Sequence, residues 1–117
     1  MSRKVYIGNA FSLQMIDVSE KIEITSSPLE IERIKTLVKE VDVISCIGHE
    51  DTAKVVSSLL DVEIPAQRIS VKLDEDDILI VAQLIGGRLP EGATTLPKGF
   101  SIVFLEIRVS KKKMKEG

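Results

Sequence analysis

Aromatic side chains, cysteine and histidine are scarce in this sequence. Of its 117 residues only Tyr6, Phe11, Phe100 and Phe104 are aromatic, and tryptophan is absent. A platform of several aromatics on which bases stack is therefore excluded, and a core has to be aliphatic. The single Cys46 cannot close a disulfide within the chain. With one histidine, His49, it cannot supply the three or four ligands of a zinc site either. No metal or other cofactor is expected, and a reducing, cytoplasmic setting is the simplest expectation. Charge of one sign is also lacking, since 16 basic residues face 18 acidic ones for a net −2. Such a balance argues against a protein that holds long DNA or RNA by neutralising many phosphates, though a ligand with few phosphates fits it. No stretch approaches the roughly 18 apolar residues that span a bilayer, and no apolar run follows the basic start. Membrane insertion and secretion are accordingly not expected.

What is present is the composition of a globular domain, with 44% hydrophobic and 29% charged residues. The length suits one domain, residues 1–117, with a solvated basic tail over 110–117. Val5-Tyr6-Ile7 reads as a short strand ending in the Gly8-Asn9 turn, with a helical turn from Leu13 to Ile16. Ile22-Glu23-Ile24 alternates like a half-buried strand. Ser26-Ser27-Pro28 resembles a helix start, and apolar residues from Leu29 through Ile31, Ile34, Leu37 and Val38 predict an amphipathic helix to about Glu40. The β-branched run Val41 to Ile47 predicts a buried strand stopping at Gly48, and Asp51 or Thr52 is positioned to cap a following helix. Ile69 to Leu73 alternates as a further strand, Asp74 to Asp77 reads as a solvated acidic turn, and Ile78 to Ile85 and Phe100 to Val109 read as strands. Between these last two, Gly86-Gly87-Arg88-Leu89-Pro90-Glu91-Gly92 has the composition of a mobile surface loop. The expected fold is a single-domain α/β structure, a mixed five- to six-stranded sheet with flanking helices, because a helix after a buried strand favours a crossover.

Phosphate-loop, dinucleotide-binding and nucleophile-elbow motifs are missing. The informative features are polar stops at strand ends: Asn9 and Ser12 after the first strand, His49 after the buried one, Gln83 within another, and Arg88 with Glu91 in the loop. Ligands of open α/β sheets collect outside the carboxyl ends of strands. Taken singly, each residue has a plainer role, as turn former, helix cap, backbone partner or surface charge. Combined, one histidine, two arginines and a glutamate are the parts for RNA phosphodiester cleavage in which the substrate's 2′-hydroxyl attacks. His49 would give a proton to the departing 5′-oxygen, histidine being the side chain that exchanges protons near neutral pH. Arg68 and Arg88 would hold the phosphate with forked donors, and Glu91 would orient His49 or favour its protonated form.

The ordered set Gly8-Asn9-Ala10-Phe11-Ser12, Ile47-Gly48-His49-Glu50-Asp51-Thr52, Arg68 ahead of Val71-Lys72-Leu73, and Arg88-Leu89-Pro90-Glu91-Gly92 resembles the viral ring nucleases that act as anti-CRISPR proteins against type III systems. The likeness runs from Val5 to Val109. It implies a homodimeric α/β protein that binds cyclic tetra-adenylate and cuts it, without a metal, to linear di-adenylates ending in 2′,3′-cyclic phosphates. Destroying that messenger switches off type III CRISPR signalling. By the same resemblance His49 is the general acid, Glu91 its supporting carboxylate, Arg88 the loop arginine and Arg68 a phosphate ligand. Asn9, Ser12, Gln14, Thr52 and Gln83 fall on ligand-contacting positions. A two-fold dimer would set one His49 from each subunit against a cyclic ligand with repeated linkages. Two departures stand out: Gly86-Gly87 adds a residue before Arg88, and Ala93 to Gly99 is too short for the helix many relatives carry there. Other readings are a non-catalytic module that sequesters cyclic oligoadenylate and a small interaction protein.

Overall fold

The computed structural model describes residues 3–111. Five strands, β1 (Val5–Gly8), β2 (Ile22–Leu29), β3 (Val43–Ser45), β4 (Ile78–Ile85) and β5 (Ser101–Lys111), form one sheet in the order β2-β5-β4-β1-β3. β1 is parallel to both β3 and β4, whereas β5 is antiparallel to β2 and β4. Two helices, α1 (Ile31–Glu40) and α2 (Glu50–Leu60), complete the α/β domain. A 3-10 turn (Leu13–Met15) follows β1.

Every residue of β1 is buried, as expected for a short apolar strand covered on both faces. One face carries Val5, Ile7, Ile78, Ile80, Ala82 and Phe104, which pack with Ile34 of α1 and Ala53, Val56 and Leu60 of α2. Both helices therefore lie on the same side. The opposite face presents Tyr6, Leu79, Val81, Ile107 and Val109, covered by Ile16, Val71 and Leu73 from irregular chain.

That second layer explains one departure from the sequence reading. Val71 and Leu73 are buried on either side of the exposed Lys72, while Ile69 and Ser70 are both exposed, and residues 69–73 form no strand. This segment crosses the sheet face instead of pairing along an edge. It buries Val71 and Leu73 and is held by Leu73 N–H to the Met15 carbonyl (2.7 Å) and by Lys72 Nζ to the Gln14 carbonyl (2.7 Å). Period-two burial encodes which side chains face the core, and hydrogen-bonded pairing is a separate condition.

Other boundaries move for identifiable reasons. Ser26-Ser27-Pro28 belongs to β2, and Glu30 takes the N-cap position of α1. β2 is an edge strand, where a residue without an N–H is tolerated. β3 covers only the middle of the run expected from 41 to 47, although Cys46 N–H still reaches the Ile7 carbonyl at 2.8 Å. α2 starts at Glu50 with His49 as its N-cap, two residues earlier than an Asp51 cap would place it. Ser110 and Lys111, expected in the basic tail, belong to β5, and residues 112–117 lie outside the described residues. The acidic turn does form. Its buried Asp77 accepts hydrogen bonds from the backbone N–H groups of Lys4 (3.1 Å) and Asp74 (3.0 Å).

The close of β1 is sterically tight. A Cβ on Gly8 would stand 2.7 Å from Cys46 Sγ. Gly8→Ala should therefore lower the urea unfolding midpoint, by an overpacking cost of about 1–3 kcal/mol, and Cys46→Ala in the same chain should recover part of the loss. Burial also pushes the Cys46 thiol above its ordinary pKa, which leaves less thiolate at any given pH. Alkylation of the folded protein should be slower than that of the urea-unfolded chain at pH 8, and its rate should still climb at pH values where the unfolded thiol has levelled off.

Candidate functional site

Because β1, β3 and β4 run parallel, the segments that leave their carboxyl ends meet along one edge of the sheet. Asn9 follows β1, Gly48 and His49 follow β3, and the loop with Arg88 and Glu91 follows β4. An open cleft of about 1330 Å³ lies along this edge. It exceeds the roughly 300–1,000 Å³ of pockets for drug-sized ligands. His49, Thr52, Arg68, Arg88 and Glu91 all line it, so the four expected catalytic residues share one wall system despite wide separation in sequence.

Each arrives by a different route. His49 caps α2 in an extended conformation (φ −122°, ψ 126°), its carbonyl accepting from Ala53 N–H at 3.0 Å while its side chain makes no capping bond. The imidazole is exposed at the helix start. Arg68 comes from the chain beyond α2, which is turned back by Ser57: its hydroxyl donates to the Ala53 carbonyl (2.7 Å) and accepts from Ile64 N–H (2.8 Å). This returning segment then lies beside the end of β3. Gln67 N–H donates to the Ile47 carbonyl (2.8 Å), Gln67 Nε2 to the Ser45 carbonyl (3.2 Å), and Ser45 Oγ to the Pro65 carbonyl (2.5 Å). Arg68 Nε finally donates to the Gly48 carbonyl at 3.1 Å, which fixes the guanidinium next to His49 in the chain's path.

The loop between β4 and β5 is shaped by glycines. A Cβ on Gly86 (φ 120°) would meet the Gly99 carbonyl oxygen at 2.9 Å, so the two ends of the loop form a neck that only glycine permits. Beyond it, Ala93 N–H bonds to the Pro90 carbonyl (3.1 Å) with Gly92 at φ 80°. These are the marks of a type II turn with glycine in its third position. Glu91 is the second residue of that turn, and Arg88 precedes it on an exposed stretch.

The electrostatics differ from a bare helix N-terminus awaiting an anion. Glu50 and Asp51 occupy the first turn of α2 and already complement its dipole. Glu50 is directed to Lys54 (4.0 Å), and Asp51 Oδ2 accepts from Gly92 N–H (3.1 Å). Positive charge for a phosphate in the cleft thus rests on Arg68 and Arg88. Among the described residues no group of three His, Cys, Asp or Glu side chains gathers as a metal ligand set.

The remaining expected contacts are less concentrated. Asn9 lines a smaller recess with Cys46, Ser70 and Ile69, continuous with the main cleft through Gly48 and Arg68. Ser12 caps the 3-10 turn by accepting from Gln14 N–H (3.2 Å), and both residues are exposed. Gln83 is exposed on the sheet face away from the helices, its amide donating to the Leu84 carbonyl (3.3 Å). Ser12, Gln14 and Gln83 are outside the wall of the main cleft among the described residues. Conversely, Gln67, Asp51 and Leu84 line it and had not been singled out as ligand contacts. Only proximity to Arg68, His49 and Gln83 in sequence could have drawn attention to them.

Comparison with known proteins places this architecture. The chain is similar to "Uncharacterized protein 26" of Sulfolobus islandicus filamentous virus (isolate Iceland/Hveragerdi), 39% identical over 88 residues, or 75% of this chain and 73% of that protein. Its fold matches that of B116 of Sulfolobus turreted icosahedral virus with a TM-score of 0.73 at 27% identity, covering 90% of this chain and 98% of the other. The model of the STIV B116-like family matches residues 5–101, which takes in four of the five strands, both helices and every residue of the cleft. A single-domain α/β fold shared with one virus protein and sequence shared with another agree with that match, and the chain belongs to the STIV B116-like family.

Proposed function

We propose that this protein is a metal-independent ring nuclease that binds cyclic tetra-adenylate and opens it to linear di-adenylates with 2′,3′-cyclic phosphate ends, acting as an anti-CRISPR factor against type III signalling. The observation that carries this reading is the meeting of His49, Arg68, Arg88 and Glu91 in one cleft at the carboxyl edge of the parallel strands. In the reaction a ribose 2′-oxygen attacks its neighbouring phosphorus and loses its proton to solvent, while the bond from phosphorus to the 5′-oxygen breaks. His49 donates the proton that the leaving 5′-oxygen needs. Arg68, braced on the Gly48 carbonyl, and Arg88, on the loop, balance the charge that builds on the phosphoryl oxygens. Glu91, on the loop that lines the same cleft, orients the imidazole. Thr52 and Asn9 border the same space and supply polar contacts to sugar or base.

The active species in this proposal is a homodimer. Gln83 and Val103 are partners across β4 and β5, and with Ile85 they face away from the helices. Val103 and Ile85 are 42% and 49% exposed, an unusual state for sheet aliphatics that a second copy would relieve. A partner seated there would cover Gln83, one of the residues that the single chain leaves outside its cleft.

Incubation of the protein with labelled cyclic tetra-adenylate in excess EDTA should yield di-adenylates, and a ring still intact after many enzyme equivalents and hours would refute the activity. A tight stoichiometric complex without turnover would instead identify a sequestering module, and no binding by calorimetry an interaction protein. His49→Ala should slow cleavage by about 10²–10⁴-fold, the usual contribution of a general acid. Light scattering should give twice the chain mass, and Val103→Glu should reduce both the mass and the cleavage rate.

A further inference from the structure

We infer that Asp51 is a positioning residue that latches the β4–β5 loop to the start of α2 and so fixes Arg88 and Glu91 relative to His49. The inference deepens the ring-nuclease reading and rests on it for the catalytic part. Between its glycine neck and β5, the loop meets the body at several described points, one of them Thr94, which lines a recess with Ala53, Lys54 and Ser57 of α2. Leu96 lies in an apolar recess with Leu29, Ile31, Leu59 and Phe104. Gly92 N–H donates to Asp51 Oδ2 at 3.1 Å, the one described hydrogen bond between the loop and α2.

The geometry of the turn makes this bond effective. In a type II turn the fourth N–H closes the turn, here Ala93 to Pro90, whereas the third N–H is left to bond elsewhere. Gly92 is that third residue, and its N–H is the group Asp51 receives. Glu91 is immediately before it, so the latch acts one peptide unit from the carboxylate that is to serve His49. Asp51 is two residues after His49 in the first turn of α2, where the helix dipole favours its charge. The carboxylate makes the bond charge-assisted, stronger than a neutral pair. One side chain thereby ties both halves of the site to the same helix start. Gly86 and Gly87 lie at positive φ in the neck, and the latch adds a tether further along the loop that presents Arg88 and Glu91 in one position.

Amide hydrogen exchange and steady-state cleavage test this together. Asp51→Ala should raise exchange at Gly92 at least about tenfold, as loss of a charge-assisted hydrogen bond implies. It should lower kcat for cyclic tetra-adenylate by a similar factor, with a smaller change in KM. Asp51→Asn keeps an acceptor oxygen and should restore most of both. Unchanged Gly92 exchange in Asp51→Ala would overturn the latch, and raised exchange with unaltered kcat would overturn its positioning role. If the wild-type protein proves inert on the ring while the exchange pattern holds, the latch stands and the catalytic reading falls.

Discussion

The arrangement depends on one short strand that is enclosed on every side. β1 hydrogen-bonds to β3 along one edge and to β4 along the other, and all four of its residues are buried. Its backbone groups have no access to water and must be satisfied by those two parallel neighbours. Parallel neighbours require crossovers, so the chain has to pass through α1 before β3 and through α2 before β4. Three carboxyl ends then point the same way, and Asn9, His49 and Arg88 are delivered to one edge as a consequence of satisfying β1.

The two faces of the sheet are closed by different means, and the difference serves the site. Helices cover one face with Ile34, Val56 and Leu60. The other is strapped by extended chain through Val71 and Leu73. An irregular strap can follow the outer edge of β3 before it crosses, and Gln67 and Arg68 use that path to reach Ile47 and Gly48. A regular sixth strand would have been committed to a sheet edge. Arg68, the second guanidinium of the cleft, sits just ahead of the segment that the sequence pattern suggested was a strand.

Much of this was legible because burial dominates the pattern. The apolar runs at Val5 and Ile78 and the helical spacing from Val55 to Leu60 mark elements whose side chains face a core, and those elements form with small boundary shifts. Pro28 misled because its helix-start signature is local, whereas the solvent-facing edge that admits it into β2 is a property of the whole sheet. The cleft was legible as a set of strand-end residues, since topology alone brings such positions together. Asp51 was not, because its role depends on a backbone N–H 41 residues away, and an N–H has no letter in a sequence. Ser12 and Gln83 remain local in this chain, bonded to their own neighbours, and Gln14 is tied through its backbone, its carbonyl accepting from Lys72 Nζ.

The place of β5 in the sheet has a further meaning during synthesis. It is inserted between β2 and β4, pairing residues 22–29 with 104–111 and residues 79–85 with 101–107. Until that stretch has left the ribosome, β2 has no strand beside it and β4 has one unpaired edge. A nascent chain that extends through Gly92 has every residue of the cleft in hand but a sheet divided in two. The two parts of the sheet therefore become one in a late step, when a single long strand joins them.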